Sequence, residues 1–137
     1  YGRPDMAIYK FVDHIIKNKQ IELFNNGNNY RDYTFIDDVV TAINKLALII
    51  PNEKIPYTVV NIGNGKPVKT LEIVDIISKN LKIKPIINFT KPAKGDVFTT
   101  NADLKKLKKL TKFKPKININ LGIERFIYWY KNHIKSI

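Results

Sequence analysis

Cysteine is absent from this 137-residue chain, which excludes disulfides and thiolate metal sites and agrees with a reducing compartment; a cytoplasmic location is the expectation. Arginine is nearly absent: only Arg3, Arg31 and Arg125 stand among the 24 basic residues, the rest being lysine. No apolar run reaches the roughly 18 residues that a membrane-spanning helix requires, so no membrane partner is expected. No charged-then-apolar leader is visible, so no secretion signal is expected. The first residue is Tyr rather than Met, and the expectation is that the chain does not begin at a native translation start.

Several kinds of chemistry are missing as well. Dinucleotide binding calls for a glycine-rich turn between a strand and a helix, where the pyrophosphate can approach the backbone. The glycines are Gly2, Gly27, Gly63, Gly65, Gly95 and Gly122, and none of their spacings is G-x-G-x-x-G. Gly63-Asn64-Gly65 is followed by Lys66-Pro67 where a third glycine and a helix start belong, so it reads as a turn. His14 and His133 are far apart and lack cysteine partners, which argues against a metal site and for surface or boundary positions. Ser78 and Ser136 lie in no nucleophile elbow.

What is present is an alternation of helical and extended patterns. Ile8, Phe11, Val12, Ile15 and Ile16 predict an amphipathic helix from about Pro4 to Lys17. Ile21–Phe24 predicts a strand stopped by the turn-rich 25–29, and Tyr33–Phe35 a second short one. Ile36, Val39, Val40, Ile43, Ala47 and Ile50 predict a helix with Asp37 and Asp38 at its positive end, in dipole or capping roles. A loop over Pro51–Pro56 and a strand over Tyr57–Ile62 come next. Thr70 is placed as the N-cap of a helix through Leu81, and Pro85–Phe89 is a further strand before an irregular 90–99. Asn101 is placed as the cap of a short helix carrying Leu104, Leu107 and Leu110, with Lys105, Lys106, Lys108 and Lys109 as its polar face. The last helix starts after Asn118 or Asn120 and buries Ile123, Phe126, Ile127, Tyr130 and Ile134, with Tyr128-Trp129-Tyr130 assigned to packing. The class is α/β in a single domain spanning 1–137. The strands are few and short, which suits a lobe leaning on something else.

Five ordered segments carry a resemblance. Gly2 to Ala7 reads G-R-P-D-M-A; Arg31 to Asp38 reads R-D-Y-T-F-I-D-D; Asn61 to Asn64 reads N-I-G-N. Gly95 to Val97 reads G-D-V, and Gly122 to Tyr130 closes the series with its aromatic W-Y. In this order they resemble the C-terminal, substrate-binding part of the NAD-dependent sugar-nucleotide epimerases and dehydratases, which are extended short-chain dehydrogenases. The uronate branch, the UDP-glucuronate 4-epimerases, is the nearest in pattern. The resemblance implies a small substrate-binding lobe without its Rossmann cofactor core. Arg31 is then expected to grip a UDP diphosphate, because a planar guanidinium can bind two oxygens at once. The resemblance likewise implies that Arg3 would face the sugar carboxylate, that Asp96 would accept from the ribose hydroxyls, and that Leu23 and Phe24 sit where the family lays the uracil against backbone and an apolar side chain. Lys94 stands where relatives often have Arg, which weakens a second phosphate contact.

The family's general base is a Tyr four residues before a Lys, and none of the seven tyrosines has that offset. The expectation is therefore NAD in the intact enzyme, none bound by this chain alone, and no catalysis by these residues without the Rossmann half. UDP-sugar and that half are the expected partners; homodimers are common in the intact family, and the oligomeric state here stays open. A 4,6-dehydratase or decarboxylase lobe shares the Arg31-Asp32 motif and is the alternative. An alternative of another class is a basic module binding nucleic acid or protein, given a formal net charge of +12. Lysine-only charge beside abundant Asn and Ile reads instead as a compositional bias spread over the surface, so nucleic acid is not the expected partner. A diffuse positive field would still attract an anionic nucleotide sugar.

Overall fold

The computed structural model describes residues 3–50 and 57–134. Helix α1 runs Ala7–Ile16 and buries Phe11, Val12 and Ile15, as its periodicity requires. It begins later than Pro4 because Arg3 forks onto Asp5 and the Met6 N–H bonds back to the Arg3 carbonyl at 3.1 Å, closing a turn ahead of the helix. Strand β1, Ile21–Phe24, has the expected bounds. It pairs in parallel with β4, Ile87–Thr90, which sets Ile21 opposite Ile87 and Phe24 opposite Thr90.

The second expected strand is displaced. Strand β2 is Tyr30–Arg31 rather than Tyr33–Phe35, and it pairs antiparallel with β3, Val68–Lys69. Tyr30 also donates to the Phe98 carbonyl at 2.9 Å and accepts from the Thr100 N–H at 3.2 Å. Residues 30–31 thus find partners on both edges, while Phe35 is used to enter helix α2, Ile36–Ala47. Helix α3, Thr70–Leu81, buries Ile73, Val74, Ile76, Ile77 and Leu81. Thr70 is its first residue and not its cap: the Thr70 N–H and hydroxyl both donate to the Asn29 carbonyl at 2.9 Å, lashing the helix start to the residue that precedes β2. Helix α4 is Lys105–Thr111, and Asp103 rather than Asn101 accepts from its first N–H, at 2.8 Å. Helix α5, Ile119–His133, is capped by Asn118, whose Oδ1 accepts from the Leu121 N–H at 3.0 Å.

Two cores result. The main one packs α1, α3, α5 and β1 together through Val12, Ile15, Leu23, Ile73, Ile77, Ile123 and Tyr130. Tyr130 belongs to it and Trp129 packs against it, but Tyr128 is exposed, so only part of the aromatic run is packing. The second core is small: Ala42 from α2, Leu107 from α4, and Phe113, with Val60 and Ile62 half-buried alongside. Residues 57–62 alternate exposed and half-buried as a strand would, yet they join no ladder among the described residues. The β-pattern is there and the neighbouring strand is not. The expected loop at Pro51–Pro56 lies outside the described residues. No helix among the described residues is long and apolar enough to cross a membrane.

Candidate functional site

Arg31 ends β2, where the two edges of that strand hold its backbone and its side chain reaches back over them. Nη1 donates to the Tyr30 carbonyl at 2.8 Å and to the Phe98 carbonyl at 3.3 Å, and Nη2 bonds and pairs with Asp96. The other Asp96 oxygen accepts from Asn29 Nδ2 at 2.6 Å, and Asn29 Oδ1 accepts from Asn25 Nδ2 at 2.7 Å. A buried asparagine thus positions the carboxylate that positions the guanidinium. Gly95 precedes Asp96 with φ +82 and nothing within 4 Å of the place a Cβ would take. That left-handed turn, open to glycine at little cost, swings Asp96 back toward β2. Both partners keep part of their surface in solvent, 24% of the Arg31 side chain and 32% of Asp96.

Asp32 borders the same cavity as Arg31, and its carboxylate serves the frame. Its Oδ1 accepts from the Asn64 N–H at 3.0 Å, and its Oδ2 from the Gly65 and Ala102 N–H groups at 2.9 and 3.0 Å. Three backbone donors on one carboxylate tie the 63–65 turn and residues 100–102 to the strand that carries Arg31. Gly63 has no room for a side chain: a Cβ would lie 2.4 Å from that of Ala102 and 2.9 Å from Asp32 Oδ2. The turn's N–H groups point at Asp32, so they are not free for a pyrophosphate, and the residues present do not fit a dinucleotide loop. Asp38 plays a similar part. It is buried and accepts from the Lys116 and Ile117 N–H groups at 3.1 and 2.9 Å. Asp37 instead pairs with Arg125 at 3.2 Å, while the Arg125 guanidinium lies 5.7 Å from the centre of the Phe35 ring. Both aspartates sit in the first turn of α2, but Asp38's bonds run to another segment rather than to its own helix.

Arg3 and Arg31 line one cavity of about 780 Å³, whose apolar wall includes Met6, Ile8, Phe35, Phe126 and Trp129. Arg125 lines it too, so all three arginines of the chain meet there. Arg3 is held in an exposed fork to Asp5, with bonds of 3.1 and 2.6 Å. Asp96, Leu23 and Phe24 do not line this cavity. The Leu23 side chain is in the main core and offers a ligand only its backbone, whereas Phe24 is 46% exposed at the end of β1. Phe24 is linked to Arg31 through the Asn25, Asn29 and Asp96 side-chain relay. Sequence reading missed Asn29, hidden in an asparagine-rich turn, and placed Asp32 in a motif without assigning it a role. His14 and His133 have Nδ1 at 2.9 and 3.0 Å from backbone carbonyl oxygens, and no cluster of three metal-ligating side chains occurs among the described residues.

Comparison with known proteins places this architecture. The model of the NAD dependent epimerase/dehydratase family matches residues 1–63. The uncharacterized protein MJ1055 of Methanocaldococcus jannaschii is 43% identical over 95% of this chain and 39% of its own length. A UDP-glucuronate 4-epimerase of Thermodesulfobacterium geofontis is 36% identical over 99% of this chain and 41% of its own. Among solved structures, the UDP-glucuronic acid 4-epimerase of Bacillus cereus, in complex with UDP-glucuronic acid and NAD, superposes with a TM-score of 0.86 at 27% identity. That superposition covers 96% of this chain and 42% of the other. The chain therefore spans about two-fifths of the length of the relatives it matches.

Proposed function

Because this chain belongs to the NAD dependent epimerase/dehydratase family and corresponds to the C-terminal part of its members, we propose that it is the UDP-sugar-binding lobe of a UDP-glucuronate 4-epimerase. The observation that carries the proposal is the Arg31–Asp96 pair, fixed by Asn29 from one side and by the Tyr30 and Phe98 carbonyls from the other. Arg31 presents a planar cation whose orientation is already set, suited to two oxygens of a diphosphate. Asp96, beside it and partly in solvent, accepts from the ribose hydroxyls. Phe24, with the Leu23 backbone, takes the uracil. Arg3, in the same cavity as Arg31, takes the sugar carboxylate.

In this reading the lobe supplies position. It holds the nucleotide so that the sugar carbon to be oxidised faces a nicotinamide carried elsewhere. These residues hold no dinucleotide loop and no Tyr–Lys pair, so NAD chemistry and proton transfer belong to the part of the relatives that this chain does not span. That part also accounts for the apolar face left open on α2 and along residues 57–62, where Ile36, Val40, Ile43, Tyr57 and Val59 are exposed.

A two-dimensional amide NMR spectrum of the chain, titrated with UDP and then UDP-glucuronate, tests the assignment. Saturable shifts centred on residues 24–31 and 95–98, abolished by Arg31→Ala, are the expected result. An Arg3→Gln variant should bind UDP as before and lose its preference for UDP-glucuronate over UDP-glucose. A dispersed spectrum unmoved at millimolar ligand would overturn the claim that this lobe binds the nucleotide by itself.

A further inference from the structure

The lysines are not spread evenly. Seven of them, Lys105, Lys106, Lys108, Lys109, Lys112, Lys114 and Lys116, fall within twelve residues, with Asp103 the nearest carboxylate in sequence. All seven are exposed. Their only ion pair among the described residues is a marginal contact of 4.0 Å between Lys105 and Asp103. The other fourteen lysines are distributed along the rest of the chain, so this run is a local concentration on a basic background.

The fold turns these lysines away from the small core. Lys105, Lys108, Lys109 and Lys112 recur at the spacing of a single helical stripe. On the opposite side of α4, Leu107 is fully buried against Ala42 and Phe113. Beyond the helix, Lys112, Lys114 and Lys116 alternate with buried Phe113 and half-buried Pro115 and Ile117, so they face away from the chain's interior as well. Leu107 and Phe113 enter the same small core, which turns both lysine rows outward together. Bonds from the Lys116 and Ile117 N–H groups to buried Asp38 hold the second row in place. Like charges at these spacings repel one another, and a polyanion laid across them relieves that repulsion.

We propose that this ridge adsorbs the protein to an anionic lipid surface. Lysine ammoniums are compact, hydrated charges that act on a charged plane without insertion, each adding to the attraction within a Debye length. The patch lacks what a nucleic-acid site uses. It has no arginine, its one aromatic residue, Phe113, is buried, and none of the seven lysines lines the cavity described above. The apolar side of α4 is spent on the core, so the contact is electrostatic and the chain neither inserts nor spans.

Co-sedimentation of the full chain with vesicles tests this, using phosphatidylcholine alone and phosphatidylcholine with about one-third phosphatidylglycerol. Binding is expected only to the anionic vesicles, and it should collapse between about 0.1 and 0.5 M salt as screening shortens the field. The triple variant Lys105→Gln, Lys108→Gln, Lys109→Gln should bind about a hundredfold more weakly, at roughly one factor of five per lysine. A control triple of equal charge loss, Lys10→Gln, Lys79→Gln, Lys131→Gln, removes exposed lysines from α1, α3 and α5 and should lose far less. Amide spectra of both variants verify that they remain folded. Equal losses in the two triples would overturn the patch. Equal binding to neutral vesicles would overturn its electrostatic basis, and patch-dependent binding to single-stranded RNA without vesicle binding would transfer the ridge to nucleic acid.

Discussion

Helices α2 and α3 are both twelve residues long and both amphipathic, yet they have opposite fates. α3 buries five apolar residues against α1 and α5, and its charged residues face water. α2 buries only Asp38 and Ala42 and leaves Ile36, Val40 and Ile43 about half exposed or more. A helix whose apolar stripe faces solvent is half of a packing pair. The main core is complete within this chain; the α2 side is complete only with something laid on it, which under our proposal is the remainder of the family's length.

The sharpest way to break this contrast is a cavity on each side. Ile77→Ala in α3 should cost about 3–4 kcal/mol in urea unfolding, the range for a fully buried aliphatic. Ile43→Ala in α2 should change the stability of this chain by no more than about 0.5 kcal/mol. An Ile43→Ala cost above about 2 kcal/mol would mean that α2 is buried after all, and the open-face reading would fail.

Next in size is the frame around Arg31. Asp32→Ala orphans three backbone N–H groups and should destabilise by about 2–3 kcal/mol. It should also weaken UDP binding without touching the ligand. Asp32→Asn, which keeps the acceptor oxygen, should recover part of both losses; if it recovers neither, the charge matters more than the bonds.

The main core should also carry an acid-dependent contribution, centred on Asp13. Partial burial tends to raise the carboxyl pKa of Asp13. Hydrogen bonds from Lys17 and Tyr130, with the Lys17 and His14 charges, outweigh it and hold Asp13 below its ordinary value. Burial, reinforced by that carboxylate, pushes the Tyr130 phenol the other way, so it stays protonated. A carboxyl lowered in the folded state adds stability at pH above its ordinary value, and the gain is lost as pH falls through the folded value. Asp13→Asn should therefore flatten the stability profile on the acid side and leave it unchanged in slope near neutrality.

The smallest effect is local. α3 ends on Lys82 in the left-handed region, φ 58, where glycine carries no Cβ penalty. Lys82→Gly should stabilise by about 0.5–1 kcal/mol in the same urea assay. The equivalent change at Lys112, φ 56, tests whether the smaller core tolerates the same repair.

Legibility in the sequence followed the range of the interaction. The faces of α1, α3 and α5, the bounds of β1 and the Asn118 cap all follow from neighbours within four residues, and periodicity displays them. The displaced β2 and the short β3 depend on which segments lie alongside, as do the reassigned roles of Thr70 and Asn101. Residues 57–62 show the same limit from the other direction: their alternation reads as a strand, and a strand needs a partner that pattern cannot supply.

The candidate site divides likewise. Motif order named Arg3, Arg31 and Asp96 as a set, because residue type and spacing are written in the chain. Only the tertiary structure decided that Asp96 meets Arg31 across 65 positions, that Asn29 holds them, and that the Asp32 carboxylate clips the frame around them. Helical faces and turns are chosen by local sterics and are therefore sequence-determined. Long-range pairings are chosen by which polar groups would otherwise be left unsatisfied once the chain has closed on itself, and that is settled only in three dimensions.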